Sequence, residues 1–167
     1  MALEEYKRKR RFEETPEPPP KVEKKSGHRF VVQKHDATRL HYDFRLEMDG
    51  VLKSWAVPKG LPYVRDERHS AFATEDHPLD YLMFEGIIPA GQYGGGTVMV
   101  WDAGTYDVMD GNYWKGYLRI FLRGKKLKGE WTLNRIEERD GKARWLITKT
   151  GAAMKPVSFP LRWFPRL

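Results

Sequence analysis

The chain has 167 residues, room for one domain with a sizeable core, and its 40% hydrophobic content, including six Trp, eight Tyr and eight Phe, supplies that core. It contains no cysteine, which excludes disulfides and thiolate metal sites, so any transition metal must rest on His and carboxylate. Thirty Lys and Arg against 23 Asp and Glu give a net charge of +7, which favours a polyanionic partner.

Residues 1–28 differ in composition from the rest. Lys7, Arg8, Lys9, Arg10 and Arg11 form a basic block, and Pro16, Pro18, Pro19 and Pro20 interrupt regular structure, so the segment reads as an arm or linker. A short helix over Glu4–Phe12, ended by the proline run, fits the pattern. Its cations either contact phosphates or solubilise the end. From Phe30 onward the chain is strand-like, beginning with Phe30-Val31-Val32-Gln33.

The run Arg39–Met48 alternates: Leu40, Tyr42, Phe44, Leu46 and Met48 occupy one parity, and His41, Asp43 and Arg45 the other. Period two predicts a β-strand, and Asp49-Gly50 followed by Val51–Val57 predicts a hairpin. One face of that strand therefore carries an imidazole, a carboxylate and a guanidinium at successive positions. His35, with Asp36-Ala37-Thr38 as turn residues, can fold back to add a second imidazole. Two imidazoles and a carboxylate can hold a divalent metal with open coordination positions. Arg45, one strand step further, suits a bound oxyanion. The same pattern also describes a solvated strand face or a ladder of salt bridges, and spacing leaves the choice open.

Ser70–Thr74 is strand-like and runs into a second concentration of titratable groups, Glu75-Asp76-His77-Pro78-Leu79-Asp80-Tyr81, where Pro78 holds His77 extended. Gly91–Gly96 precedes a strand rather than a helix, so it reads as a turn bordering a cleft and not as a phosphate-cradling loop. Thr97–Trp101, Tyr117–Leu122, Glu130–Leu133 and Trp145–Thr148 are further strand candidates, with turns at Asp110-Gly111 and Asp140-Gly141. Lys115, Arg119, Arg123, Lys125, Lys126 and Lys128 cluster on one hairpin, with Tyr117 and Phe121 on the parity of Arg119 and Arg123. That pattern fits either a nucleic-acid face or a solvated amphipathic strand. Many short strands with little helical periodicity predict an antiparallel barrel or sandwich. A barrel would put the polar parity of the His41 strand in its mouth or lumen. Three parts follow: an arm over 1–28, the barrel over 29–155 and a tail over 156–167.

Several of these segments, taken in order, resemble the 3′-phosphoesterase domain of bacterial DNA ligase D. They are Phe30–His35, Arg39–Glu47, Lys53–Gly60, Glu75–Tyr81, Phe84-Glu85-Gly86, Gly91–Gly94 and Thr97–Asp102, and the similarity extends from Thr15-Pro16-Glu17-Pro18 to about Lys149. The resemblance implies a mainly β fold, a compact antiparallel β-barrel with short flanking helices. It implies a Mn²⁺-dependent enzyme of non-homologous end joining that removes a 3′-terminal ribonucleoside and then the 3′-phosphate it leaves; Zn²⁺, Co²⁺ or another divalent ion suits the same donors. By position it implies metal ligands at His35, His41 and Asp43 and a catalytic set of His41, Arg45, His77 and Tyr81. Phosphate contacts are implied at Arg45, His77, Arg68, His69 and Lys59, and further site-lining residues at Gln33, Glu75, Arg10 and Glu17. Partners would be DNA or primer-template 3′ ends, including ribonucleotide-terminated ones, together with the ligase and polymerase components of end joining.

The chain departs from the family pattern at Arg11, where an acidic residue is usual, and at His69, beside Arg68, where an arginine is usual. Two rival readings are a 3′-phosphatase without the ribonucleoside step and a basic module that binds nucleic-acid ends without cleaving them. Nucleic-acid contacts are expected at Arg119, Arg123, Lys125 and Lys126. No apolar stretch approaches the roughly 20 residues of a membrane span and the N-terminus has no apolar signal core, so the expected location is cytoplasmic and nucleoid-associated, without a membrane partner. The start at Met1 and the arm ending at Pro20 favour a natural short protein.

Overall fold

A computed structural model of the chain describes residues 2–24 and 26–155; the expected tail over 156–167 lies outside the described residues. Its strands are β1 (Arg29–Asp36), β2 (Leu40–Met48), β3 (Val51–Val57), β4 (Arg68–Pro78), β5 (Gly86–Ile88), β6 (Gly96–Asn112), β7 (Tyr117–Gly124), β8 (Lys128–Arg139) and β9 (Lys142–Thr150). One short helix, α1 (Glu4–Arg8), and 3-10 turns at Leu79–Met83 and Tyr113–Lys115 accompany them. The strands pair antiparallel in the order β1-β2-β3-β4-β9-β8-β7-β6, and β6 returns to β1, closing an eight-stranded barrel; β5 adds to the edge of β6. The barrel expected from the strand pattern is thus found.

Closure depends on the length of β6. Its first half runs against β1, from Asp36 opposite Thr97 to Arg29 opposite Thr105, and its second half against β7, from Gly104 opposite Gly124 to Asn112 opposite Tyr117. Gly104 pairs with both neighbours, and a Cβ there would overlap the Arg123 carbonyl. The two-residue hairpins form where expected, with positive φ at Asp49 and Gly50 and at Asp140 and Gly141. Asp110-Gly111 does not turn the chain but lies within the end of β6, beside a bulge at Val108/Asp110. The reversal falls at Tyr113–Lys115, because the Asn112 side chain accepts from Lys115 N at 2.8 Å and Gly116 supplies the left-handed residue.

Two apolar clusters show which way the strands face. One draws Phe30, Phe44, Trp55, Ala71, Trp101, Ile120, Trp131 and Trp145 from all eight barrel strands, so it fills the lumen. The other combines Leu3 and Tyr6 of the arm and Leu79, Tyr81, Leu82 and Phe84 after β4 with Val31, Leu52 and Val98, so it lies on the outer surface of the barrel. The expectation that the polar parity of β2 faces the mouth or lumen is corrected here. Phe44 and Leu46 point inward, and Asp43 and Arg45 point outward beneath the arm. The physical reason is volume: Trp55, Trp131 and Trp145 are fully buried in the lumen, and charged groups placed among them would lose hydration without partners.

The arm is correspondingly docked. α1 is shorter than expected, ending at Arg8, and it exists chiefly to bury Tyr6 against the outer face. Burying Leu3 and Tyr6 is worth about 3–6 kcal/mol at roughly 1.5–3 kcal/mol per large side chain.

Candidate metal centre and active site

Strand register brings the site together. β1 and β2 pair His35 with His41, Gln33 with Asp43 and Val31 with Arg45, so these side chains stand side by side on one outer face. β3 adds Ala56 opposite Asp43, and β4, longer than expected, carries Glu75 and His77 on its final turns of pleat. The arm crosses above with Arg10 and Glu17. Together they enclose a cavity of about 300 Å³, closed at one side by Tyr93 and Gly94.

His35, His41 and Asp43 each offer one donor atom, all within 4.8 Å of one another. The orientation of the imidazoles favours a cation between them. His35 Nε2 lies 2.7 Å from the Gly94 carbonyl and His41 Nδ1 lies 3.1 Å from the Arg39 carbonyl. A carbonyl only accepts, so those nitrogens carry the protons. The opposite nitrogens, His35 Nδ1 and His41 Nε2, then face the two Asp43 oxygens at 3.2 Å each. Lone pairs facing a carboxylate require a proton or a metal ion between them, and backbone carbonyls fixing the tautomer are the usual outer support of a ligating histidine. The donor set of two nitrogens and an oxygen fits a borderline divalent ion with open positions.

The charge balance follows the same geometry. Burial alone would raise the Asp43 carboxyl, but the Arg45 cation beside it, together with His35 and His41 whenever a proton stands between imidazole and carboxylate, outweighs burial and holds it well below the usual carboxylate range. Burial pulls His41 down, and Asp43 more than restores it, so its pKa is raised. His77 is held well below the ordinary histidine value by burial and by the Arg45 and Arg10 cations. It is therefore a neutral imidazole, with Nδ1 donating to the Glu75 carbonyl at 2.9 Å and Nε2 turned towards Arg10 Nη2 at 3.4 Å.

Arg45 is 3% exposed, and its guanidinium is clamped on one edge. Nε donates to Gln33 Oε1 at 2.7 Å, Nη2 stands 3.5 Å from Asp43 Oδ2, and the Tyr81 ring lies beneath at 4.7 Å. Gln33 is fixed in turn by donating to the Tyr81 and Phe84 carbonyls at 2.8 and 3.0 Å. Arg45 Nη1, though buried, has no hydrogen-bond partner among the described residues. An unpaired guanidinium nitrogen beside a cation site is a fitted place for an oxyanion.

The arm contributes a second network. Arg10 donates to Glu17 at 2.9 Å and to Glu75 at 3.1 Å, and Tyr81 donates its hydroxyl to Glu17 at 2.6 Å. Burial pushes Tyr81 up, so it stays protonated as a donor. Lys9 bridges Glu75 at 3.0 Å and the Tyr93 hydroxyl at 3.2 Å. Tyr6 stands out by no local sequence signal, and Lys9 only as one cation of the basic block. Tyr93 belongs to the Gly91–Gly96 turn expected to border a cleft, and it does border one.

Ten expected residues meet at the cavity or directly behind it: Arg10, Glu17, His35, His41, Asp43, Arg45, Glu75, His77 and Tyr81 line it, with Gln33 behind Arg45. Lys59, Arg68 and His69 do not. Lys59 is exposed in the turn after β3. Arg68 and His69 begin β4, so His69 is about 26 Å along the strand from His77 at roughly 3.3 Å per residue. His69 instead meets the Gly60 carbonyl at 2.6 Å and Glu67 at 3.4 Å. Arg119, Arg123, Lys125 and Lys126 lie around β7, away from the cavity. Arg119 pairs with Glu130, Arg123 with Asp107, and the backbone of Lys125 and Lys126 donates to Asp102.

Comparison with known proteins places the chain in a family. A family model described as the DNA ligase D 3′-phosphoesterase domain matches residues 33–135. The multifunctional non-homologous end joining protein LigD of Pseudomonas aeruginosa is 50% identical over 153 residues, 88% of this chain and 18% of that protein. The Mycobacterium tuberculosis LigD is 48% identical over 148 residues, 86% of this chain and 19% of that protein, and the Mycolicibacterium smegmatis LigD is 44% identical over 144 residues. The chain thus spans about a fifth of the length of these relatives.

Proposed function

The chain belongs to the family of DNA ligase D 3′-phosphoesterase domains, and from that premise we propose that it is a metal-dependent phosphoesterase that heals DNA 3′ ends for end joining. It removes a 3′-terminal ribonucleoside and then the 3′-phosphate left behind, yielding a 3′-OH. The observation that carries the reading is the buried Arg45 Nη1, unpartnered among the described residues, beside the His35–His41–Asp43 donor set. A site built for phosphate leaves such a donor waiting; a merely structural ion pair would satisfy it.

His35, His41 and Asp43 would hold Mn²⁺, which would supply a bound water of lowered pKa and neutralise phosphoryl charge. The chain's own residues do the rest. Arg45 donates Nη1 to an equatorial phosphoryl oxygen as it gains charge, and Gln33 and Tyr81 keep the fork from turning away. His77, neutral at rest, takes a proton at Nε2 before it can give one back. Arg10 spans Glu17 and Glu75 and adds a second cation at the rim. We take residues 29–155 as the hydrolytic barrel and 1–28 as an arm that completes its site. Primer-template 3′ ends are the proposed substrates and the ligase and polymerase of end joining the proposed partners, acting in the cytoplasm at the nucleoid. Among the described residues no helix is long and apolar enough to cross a membrane.

The test is release of inorganic phosphate from a 3′-phosphate primer with Mn²⁺, with chelator and His41→Ala as controls. Release that requires both the ion and His41 is expected. Release that persists in chelator contradicts the proposal.

A further inference from the structure

The cavity adjoins three hollows: one of mixed charge, which it meets at Thr74, Glu75 and Tyr93 and which carries Glu5, Glu138 and Arg135, and two of opposite character. At the Arg10–Tyr93 end it continues into a groove of about 310 Å³ lined by the cations Arg8, Lys9, Arg10 and Arg11, which meet the carboxylates of Glu5, Glu75, Glu17 and Glu14 from one side and face the groove from the other. At the His41–Gly94 end it continues into an open recess of about 820 Å³ walled by Ile87, Ile88, Ala37 and Ala90, whose two fixed charges, Asp36 and Arg39, are of opposite sign. The Gly91–Gly96 turn stands between them, and Gly91 and Gln92 face both.

Resting on the function proposed above, we infer that these two openings fix the direction of the nucleic acid: the strand lies along the cationic groove, and the 3′-terminal nucleoside to be removed sits in the neutral recess beyond His41. A phosphodiester held at Arg45 has unequal sides. One side continues as a strand with a phosphate at every step; the other ends in an uncharged nucleoside. Cations gather phosphates, and an apolar recess with balanced charge takes a base and sugar without an electrostatic hold. Tyr93, half exposed, has Lys9 Nζ 4.4 Å from its ring centroid and offers a stacking face in the strand groove. Ile87, also half exposed, offers the wall for the departing base.

The chemistry agrees with this division. In the first hydrolysis the water oxygen bonds to phosphorus, the P–O5′ bond of the terminal nucleoside breaks, and a proton from the water ends on that O5′. A neutral nucleoside leaves through the recess, and the phosphate remains on O3′ of the strand. In the second hydrolysis another water oxygen bonds to phosphorus, the O3′–P bond breaks, a proton from the water ends on O3′, and inorganic phosphate leaves; no occupant of the recess is involved.

The test compares two primers, one ending in a ribonucleotide and one in a 3′-phosphate, across variants of each opening. Ala90→Trp, which fills the recess, and Ile87→Asp, which charges its wall, are expected to lower kcat/KM for nucleoside removal by about tenfold or more while leaving 3′-phosphate release within about twofold. The double charge reversal Arg8→Glu/Arg11→Glu is expected to weaken both reactions and flatten their salt dependence. Recess variants that slow both reactions equally, or neither, overturn the inference. Wild-type protein that hydrolyses neither primer contradicts the function reading instead. Direction is then still decided by a primer ending in 4-thiouridine, bound in chelator and irradiated. A crosslink to 36–39 or 87–90 is expected; a crosslink to 8–11 or Tyr93, or none to the recess, overturns the inference.

Discussion

Arg45→Lys isolates what the guanidinium fork does. The substitution keeps a positive charge on β2 but replaces a fixed planar donor with a single ammonium. In the wild type, Nε is spent on Gln33 at 2.7 Å and Nη2 on Asp43 at 3.5 Å, leaving Nη1 for the phosphoryl oxygen. A lysine cannot serve all three positions with the same geometry. The loss is one charge-assisted hydrogen bond, about 1.5–3 kcal/mol, which corresponds to about a 10- to 150-fold fall in kcat/KM. Arg45→Ala should cost more in both activity and stability, because Asp43 and Gln33 Oε1 then lose a buried partner, a change worth about 3–5 kcal/mol in comparable sites. The assay is steady-state phosphate release from a 3′-phosphate primer at saturating Mn²⁺, with metal affinity measured separately by calorimetry. Arg45→Lys turning over at the wild-type rate would refute the assignment. So would a fall in rate fully explained by weaker metal binding.

Three further predictions follow from other parts of the structure. Glu47, on the same strand face as Arg45, accepts from Gly27 N, Arg29 N and the Arg29 side chain at 2.7–3.0 Å; Arg29 leads among the causes that bring its pKa from 4.5 down to about 2. Such a shift is nominally worth about 3 kcal/mol, reduced to about 1–2 kcal/mol by screening at the exposed Arg29. The folded pKa is depressed, so this stability is complete above pH 4.5 and is lost as the pH falls towards 2, and urea midpoints should show Glu47→Gln destabilised by that amount at neutral pH with the difference vanishing in acid. Metal affinity should fall as the pH drops through the raised pKa of His41, since the proton competes for the same Nε2; an affinity flat across that range, measured by titration, would remove His41 from the ligand set. Tyr6→Ala should release the arm at a cost of about 3–5 kcal/mol to its docking and expose residues 3–20 to hydrogen exchange, with activity falling as Arg10 and Glu17 leave the cavity; an undocked arm with normal turnover would show that the arm is not part of the site.

The sequence makes the His41 strand readable because period two and an Asp-Gly turn are local signals, and both are present at Leu40–Gly50. It does not reveal which parity faces inward. Both parities of β2 are buried, and the decision is made by three tryptophans on β3, β8 and β9, which no local window contains. Leu3 and Tyr6 are two apolar residues in a basic, proline-rich segment, so composition argues for a free arm, whereas the structure docks that arm through them. The Arg10–Glu75 contact spans 65 residues and depends on that docking. Lys59, inside a segment that resembles the family, and Arg68 and His69, a few residues before another, illustrate the opposite case: a strand places residues near in sequence many ångströms apart, and register decides which of them reach the cavity.

The most direct measurement of the central claim follows a 5′-labelled primer-template ending in one 3′-ribonucleotide, incubated with the protein and Mn²⁺ and resolved to single-nucleotide length. A band one nucleoside shorter and carrying a 3′-phosphate, converting with time to a 3′-OH and absent in chelator, is the expected result. A primer unchanged in Mn²⁺, or processed equally well in chelator, would contradict the account.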